Sequence, residues 1–316
     1  MSGEIHLGVV GAGQMGTGFA VHFRLHGQTV TLVDHRQSNL DRARERIRGS
    51  VEFLNEQGVT SMSPEAVLDA VTFTLDTEAG VADADVVLET VSEDLEVKRE
   101  VFRELADATS ADTILATNTS SLQVSDIAAG FDFAHRVVGC HWLYPPYLLP
   151  TVEVIAGDET DDEVVEELVA LLEAVDRKPI VVHRDVPGFV WNRVQFAVLR
   201  ECMHLVDTGV ASIEDVNTAI RDGYARRTAV LGPFETVDLA GLDLFRTVAS
   251  GIYPSLSDRD TPSPMYDDRI EAGETGVESG AGFFEYDRSA DEVAQRRDER
   301  LAALRAILGE NDENGA

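Results

Sequence analysis

Lysine is almost absent from this chain of 316 residues, in which Lys98 and Lys178 are the only two. The remaining basic residues are all arginines, whereas 57 acidic residues are spread along the chain and give a formal net charge of −31. So acidic a surface excludes nucleic acid and anionic membranes as partners. It also repels itself in dilute buffer, but at molar salt the Debye length falls to about 3 Å and screens the repulsion. Because lysine is so depleted, we interpret the composition as adaptation to a very salty cytoplasm and not as that of an ordinary acidic protein.

Cysteine and long apolar runs are also scarce. Cys140 and Cys202 lie in apolar surroundings without metal-type spacing, so we expect two buried thiols in a reducing compartment and no metal site. The chain has no run of about 18 apolar residues, which excludes a membrane-spanning helix. Residues 1–4 contain no basic segment and lead directly into a predicted strand, so we expect a cytoplasmic protein without a signal peptide.

A glycine-rich loop follows the first predicted strand. Residues 5–10 are an apolar run, residues 11–16 read Gly-Ala-Gly-Gln-Met-Gly, and helical spacing comes next. This is the G-x-G-x-x-G pattern in its required context of strand, turn and helix, where the loop binds the pyrophosphate of a dinucleotide. Gly11 permits the tight turn, Gly13 lets the pyrophosphate approach the backbone, and Gly16 lets the helix pack close to the strand.

The second predicted strand, residues 29–33, ends at Asp34, eighteen residues after Gly16. An acid at this position accepts hydrogen bonds from the ribose hydroxyls and repels a 2′-phosphate, so it favours NAD over NADP. Arg36 is close enough to weaken this preference.

Lys98 stands out because lysine is so rare in this chain that a surface lysine would be expected to have become arginine. We therefore expect Lys98 to have a cofactor or ion-pair role.

An imidazole and a carboxylate lie at the inner ends of two later predicted strands. His141 belongs to the apolar run 138–142, and Glu153 follows twelve residues later in the run 152–155. If these strands are neighbours, the carboxylate holds one ring nitrogen and raises the basicity of the other, which makes a general base. The presence of both residues disfavours the competing class, a non-catalytic nucleotide-binding protein.

Two other groups of polar residues leave alternatives open. A cluster of short polar residues, 118–121, follows the predicted strand 113–117. It is either a helix cap, for which Ser121 is the candidate, or a site where Asn118 and Ser120 face a ligand. The long helix predicted over residues 38–57 carries four arginines, Arg42 to Arg48, which are either a solvated face or a grip on a phosphorylated substrate.

Taken in order, these motifs resemble those of the L-3-hydroxyacyl-CoA dehydrogenase family, and the likeness covers nearly the whole chain. Residues 11–16 are similar to the family's NAD loop, and residues 89–98 to its E-x-V-x-E-x-L-x-x-K segment. Further matches are residues 118–122 with the end of S/T-N-T-S-S-L, 186–193 with P-G-F-[IV]-x-N-R, 232–243 with G-P-F-E…D…G-L-D, and 280–284 with G-x-G-F-[YF].

The resemblance implies roles for particular residues. His141 and Glu153 would be the catalytic pair, with Ser120 and Asn192 as further catalytic residues that contact the substrate. The cofactor would be NAD, held by Gly11, Gly13, Gln14, Met15, Gly16, Asp34, Glu93, Lys98 and Asn118.

The sequence departs from the family pattern beside His141. The usual H-F-F-N-P becomes His-Trp-Leu-Tyr-Pro at residues 141–145. The prolines in and after this segment resemble those of the family branch that acts on free hydroxy acids, such as L-gulonate and carnitine dehydrogenases. The lysines that bind the CoA phosphates in the family are missing from residues 55–62. We predict oxidation of an L-3-hydroxyacyl-CoA to the 3-ketoacyl-CoA, as in fatty-acid β-oxidation, with a free 3-hydroxy acid as the alternative small-molecule substrate.

The pattern changes after Asp185 from strand-helix alternation to nearly continuous helical spacing. We therefore predict an α/β fold with a Rossmann-type, doubly wound, mainly parallel sheet over residues 1–184 and an all-helical domain over residues 185–316. The resemblance implies a homodimer formed through this helical domain. The polar residues 310–316 are expected to fray.

Overall fold

The computed structural model describes residues 4–312, so part of the end that is predicted to fray, residues 313–316, lies outside it. The chain forms two compact units. The first unit is the chain up to Arg193 together with Leu301–Ala303, and the second unit runs from Val194 to Arg300 and resumes at Leu304. The predicted boundary between residues 184 and 185 stays a prediction.

The first unit is built on an eight-stranded sheet in the order β3-β2-β1-β4-β5-β6-β7-β8. Every neighbouring pair is parallel except β6 and β7, which are antiparallel. The predicted doubly wound, mainly parallel sheet is therefore confirmed. The strands are β1 (His6–Val10), β2 (Thr29–Val33), β3 (Val71–Thr74), β4 (Val86–Glu89), β5 (Ile114–Thr117), β6 (Val137–Trp142), β7 (Thr151–Ala156) and β8 (Lys178–Val182).

Helices cover both faces of this sheet, and alternate strand residues contact different cores. In β4, Val86 and Leu88 belong to one hydrophobic cluster, whereas Val87 between them belongs to the other. A parallel strand buried on both faces has this continuous apolar composition. The helices of the first unit are α1 (Gln14–Leu25), α2 (Gln37–Glu56), α3 (Pro64–Asp69), α4 (Thr77–Val81), α5 (Leu95–Ala108), α6 (Val124–Ala128) and α7 (Asp162–Ala174), with a 3₁₀ turn at Ala134–Arg136.

Helix α2 shows why the sequence pattern predicted its helices well. Its buried residues Leu40, Ala43, Ile47, Val51 and Leu54 are three or four positions apart and form one stripe along the helix. The polar residues between them stay on the opposite face, as expected for an amphipathic helix packed on a sheet. The observed helix agrees with the predicted range 38–57 within one residue at each end.

The second unit is helical, which confirms the predicted all-helical C-terminal part. Its described residues form no strand of the sheet, although isolated bridges pair Ala281 with Gly276 and Glu285. Ser212 caps the helix Ile213–Thr218 by accepting a hydrogen bond from the Asp215 backbone N–H, as an N-cap serine does. The helices are α8 (Trp191–Asp207, beginning in the first unit), α9 (Ile213–Thr218), α10 (Ala225–Thr228), α11 (Pro233–Ala240), α12 (Leu242–Ile252), α13 (Pro264–Glu271) and α14 (Ala290–Asp312).

Predictions about membrane spans, metal sites and cysteine burial can be compared with the described residues of both units. Across residues 4–312, no helix combines the length and apolar character needed to cross a membrane. The same residues contain no group of three or more His, Cys, Asp or Glu side chains that could hold a metal ion.

The two cysteines differ in burial. Cys140 is buried, and burial raises the pKa of its thiol to about 12. Cys202 is only half-buried, so the expectation of two buried thiols was wrong for Cys202. Cys202 lies on α8, in a helical unit that buries few of its side chains.

Candidate active site

The glycine loop joins β1 to α1 and leaves space on one side. Gly11 has a φ of +111°, and a side chain there would approach the Thr90 carbonyl oxygen to 2.6 Å. A Cβ on Gly16 would lie 1.9 Å from the Gly11 carbonyl oxygen, so α1 packs against the loop at a distance that only glycine permits. At Gly13 the Cβ position is open, because no described residue outside its chain neighbours lies within 4 Å of it. The loop therefore fits a pyrophosphate beside the first N–H groups of α1, where Gln14 and Met15 begin the helix.

Asp34 is fixed beside this loop at the end of β2. Its Oδ2 accepts a hydrogen bond from the Ala12 backbone N–H at 2.9 Å, and its Oδ1 accepts from the Arg36 backbone N–H and Asn39 Nδ2. Arg36 thus contributes its backbone to holding the carboxylate. A buried carboxylate held in this way beside the loop suits ribose hydroxyls better than a 2′-phosphate.

The four arginines of α2 all contact groups of the protein itself. These contacts favour a structural or solvated role over a grip on a phosphorylated substrate. The contacts are Arg42 with Asn39 Oδ1 at 2.6 Å, Arg44 over the ring of Phe73 at 3.7 Å, Arg46 with the Ala12 carbonyl oxygen at 3.4 Å, and Arg48 with Glu65 at 3.8 Å.

Lys98 forms a buried ion pair. Its side chain is 1% exposed, and its Nζ donates to both carboxylate oxygens of Glu89, at 2.8 and 3.0 Å. Thr117 Oγ1 donates to the same carboxylate at 2.7 Å, and Glu93 Oε2 lies 3.5 Å from Nζ. Of the two roles expected for Lys98, this geometry favours the ion pair. Sequence reasoning missed Glu89 as the partner, although it opens the E-x-V-x-E segment.

Glu93 organises the loop after β5. Its Oε1 accepts hydrogen bonds from the hydroxyls of Thr119 and Ser121 and from the backbone N–H groups of Ser120 and Ser121, at 2.7 to 3.0 Å. Burial raises the pKa of Glu93, but these hydrogen bonds and the charge of Lys98 outweigh it and lower the pKa to about 2. Ser121 thus serves Glu93 and does not cap α6, which begins without a side-chain cap.

His141 and Glu153 meet because β6 and β7 are antiparallel neighbours whose register places the two residues directly opposite each other. His141 Nδ1 lies 2.7 Å from Glu153 Oε2, and both residues are buried. A carboxylate can only accept, so Nδ1–H donates this hydrogen bond and keeps its proton, which leaves Nε2 as the nitrogen able to exchange a proton with a substrate. The neighbouring strands postulated from the sequence are therefore present.

The remaining predicted residues lie around this pair. Asn192 Nδ2 donates to the Ser120 carbonyl oxygen at 2.9 Å, so these two residues are in direct contact. The Ser120 hydroxyl makes no hydrogen bond within residues 4–312, which leaves it available to a substrate. Asn118 Oδ1 accepts from the Trp142 backbone N–H at 2.9 Å and so ties the loop after β5 to the end of β6.

Two of the three departures from the family pattern beside His141 differ in exposure. Trp142 is buried, packs with its ring centre 5.2 Å from that of Phe19, and donates its indole N–H to Cys140 Sγ. It is therefore a core residue. Tyr144 is 41% exposed, so of the two it is the one that can face a ligand.

Comparison with known proteins identifies the family. The family descriptions "3-hydroxyacyl-CoA dehydrogenase, NAD binding domain" and "3-hydroxyacyl-CoA dehydrogenase, C-terminal domain" match residues 6–186 and 188–286. The chain is 34% identical over 280 residues to a probable 3-hydroxybutyryl-CoA dehydrogenase of Deinococcus radiodurans, covering 88% of this chain and 99% of that protein. It is 32% identical over 301 residues to an L-carnitine dehydrogenase of Oceanobacillus iheyensis, covering 94% and 95%.

A third relative matches along almost the full length. The chain is 36% identical over 304 residues to 5-formyl-3-hydroxy-2-methylpyridine 4-carboxylate 5-dehydrogenase of Mesorhizobium japonicum, covering 96% of this chain and 98% of that protein. A crystal structure of an enzyme of this name, described as an NAD⁺-dependent dismutase, has a TM-score of 0.89 at 34% identity and covers 97% of this chain and 99% of its own. The chain therefore belongs to the 3-hydroxyacyl-CoA dehydrogenase family and is an NAD-dependent oxidoreductase of that type.

Proposed function

We propose that this enzyme oxidises the hydroxyl group of a small free 3-hydroxy acid to a ketone, and that His141 is the general base. The observation that carries the choice of a free acid is the lack of positive charge where the family binds the CoA phosphates. Residues 55–62 include Glu56 and no basic residue, and each of the four arginines on the preceding helix α2 contacts another group of the protein.

The relatives support the same choice. Those named for carnitine and for a pyridine carboxylate, both free acids, match 94% and 96% of this chain. The 3-hydroxybutyryl-CoA dehydrogenase relative matches 88%. In addition, the match to the 3-hydroxyacyl-CoA dehydrogenase C-terminal domain ends at residue 286, so α14 lies outside the part of the chain that resembles that domain.

In the proposed mechanism, His141 Nε2 removes the proton from the substrate hydroxyl while Glu153 stabilises the imidazolium that forms. The Ser120 hydroxyl and Asn192 hydrogen-bond the substrate oxygen and hold the reacting carbon in position. NAD⁺ supplies a hydride acceptor when it is bound along the glycine loop, Asp34 and Asn118. In the reverse direction the protonated His141 donates to the ketone.

An acyl-CoA is the second candidate substrate, with fatty-acid β-oxidation as the corresponding pathway. It is favoured by the 3-hydroxybutyryl-CoA dehydrogenase relative, of which 99% is matched. The test is to measure kcat/KM for acetoacetyl-CoA with NADH and for a panel of free 3-hydroxy acids with NAD⁺, in molar KCl. The proposal expects measurable turnover only with members of the free-acid panel. Efficient turnover of acetoacetyl-CoA would establish the second candidate instead.

We also propose that the second unit forms a homodimer. Several of its apolar side chains are strongly exposed, and a large exposed apolar surface indicates a protein contact. The most exposed are Phe234, Leu239, Val230 and Tyr253.

A further inference from the structure

The turn that precedes α8 has an unusual backbone. Gly188 has a φ of +81° and Phe189 a φ of +49°, so two successive residues are left-handed. For Gly188 this conformation is ordinary, but a residue with a side chain adopts it only at a cost. The Phe189 backbone N–H closes the turn by donating to the Val186 carbonyl oxygen at 3.0 Å. The surroundings must therefore hold Phe189 in place.

The consequence of this turn is seen at Glu153. The backbone N–H groups of Val190 and Trp191 both point at Glu153 Oε1, with distances of 2.7 and 2.9 Å. They lie at the start of α8, where helix N–H groups have no partner within the helix and where the helix dipole favours a negative charge. Because Oε1 is occupied in this way, Oε2 is left to accept the hydrogen bond from His141.

The side chain of Phe189 connects the turn to the base itself. It is 1% exposed and belongs to the hydrophobic cluster on one face of the sheet. Its ring centre lies 5.7 Å from that of His141, tilted by 55°. Burial of this ring offsets the cost of the left-handed backbone and places the turn next to the catalytic pair.

We propose that Phe189 is a positioning residue for the general base. Its left-handed backbone aims the amides of Val190 and Trp191 at Glu153, and this fixes the carboxylate oxygen that orients His141. This inference rests on the proposed function, because it assigns a role only if the His141–Glu153 pair is the base.

The pKa of Glu153 links this role to the pH dependence of activity, which can be measured. Burial raises the pKa of Glu153, but the hydrogen bonds from His141, Trp191 and Val190 outweigh it and lower the pKa below its usual range. Among the described residues, His141 on β6 is the titratable group that acts on Glu153. Its neighbour on β8, Ile180, is apolar, and the start of α8 presents backbone amides to it. Without the two amides the buried carboxyl group would have a higher pKa and would protonate as the pH falls. A protonated Glu153 no longer stabilises the imidazolium, so activity would be lost first on the acidic side.

The experiment compares two substitutions that both remove the ring. Phe189→Gly permits the left-handed backbone, whereas Phe189→Val disfavours it because valine is β-branched. We expect the acidic limb of the kcat/KM profile to move to higher pH in Phe189→Val, with a loss on the order of tenfold at pH 6 and less at pH 8. In Phe189→Gly the limb should stay at the wild-type pH. The NADH dissociation constant, measured by fluorescence, should be unchanged in both.

A second variant covers the case in which Phe189→Val does not fold. Gly188→Ala leaves the ring in place, and its Cβ would lie 3.4 Å from Asn192 Cβ, which is ordinary contact, so only the backbone is strained. Its acidic limb should move in the same direction. Identical pH profiles for Phe189→Gly and Phe189→Val, or an unshifted limb in Gly188→Ala, would overturn the positioning role. If His141→Gln kept its turnover, the proposed function would fail instead.

Discussion

The two units of the chain differ in how far they bury their apolar side chains. In the first unit, α2 and α5 bury theirs against the sheet, and both hydrophobic clusters lie mainly there. In the second unit, α11 and α12 have no buried residue, and Phe234 is 84% exposed. Both units have amphipathic helices, but only the first contains the sheet that such helices can cover. The difference supports the proposal that the second unit contacts a second copy of the chain through this exposed apolar surface.

Breaking the ion pair inside the first unit should have the largest effect on stability. Lys98→Met leaves the buried carboxylate of Glu89 without its partner, so we expect a loss of about 3–5 kcal/mol in the free energy of unfolding, measured by chemical denaturation. The matched control is Lys178→Met, because Lys178 is exposed and should contribute no more than about 1 kcal/mol. Similar losses in both variants would show that the interior of the first unit does not depend on this pair.

A substitution on the second unit should change assembly and leave the chemistry of the first unit intact. Phe234→Asp places a charge in the exposed apolar surface, so we expect the dimer dissociation constant to rise about 30-fold or more, equivalent to about 2 kcal/mol. Light scattering after size exclusion measures this, with Val59→Asp in the first unit as the control. A wild-type protein that is monomeric at every concentration would contradict the comparison between the two units.

Salt should have a smaller effect that is shared by both units. The net charge of −31 is spread along the chain, so mutual repulsion falls as salt screens it. We expect the melting temperature to rise steadily from 0.1 M to 3 M KCl. A melting temperature that is constant or falls over this range would argue against adaptation to a salty cytoplasm.

Much of the first unit could be predicted from sequence because its signals are local. Apolar runs predicted β1, β2, β5, β6 and β7, a helical stripe predicted α2, and the glycine pattern predicted the nucleotide loop. The meeting of His141 and Glu153 needed one further assumption, that their strands are neighbours. The antiparallel register of β6 and β7 supplies that contact directly.

Other features of the site depend on contacts that no local pattern contains. Lys98 was noticed because lysine is rare, but its bond to Glu89 depends on how α5 packs beside β4. The left-handed backbone of Phe189 was missed because phenylalanine carries no signal for positive φ. The exposure of the second unit's helices agrees with the homodimer that the resemblance implied, but periodicity could not predict it, because periodicity shows that a helix has an apolar face and does not show what covers it.

The central claim is that His141, held by Glu153, is the base that this enzyme uses with NAD. The most direct test is the turnover of His141→Gln with the wild type's best substrate, measured together with NADH affinity. We expect turnover to fall by a factor of about 100 or more, since a general base contributes at least that much, while the NADH dissociation constant stays unchanged. Turnover within about tenfold of the wild type, at unchanged NADH affinity, would contradict the role assigned to His141.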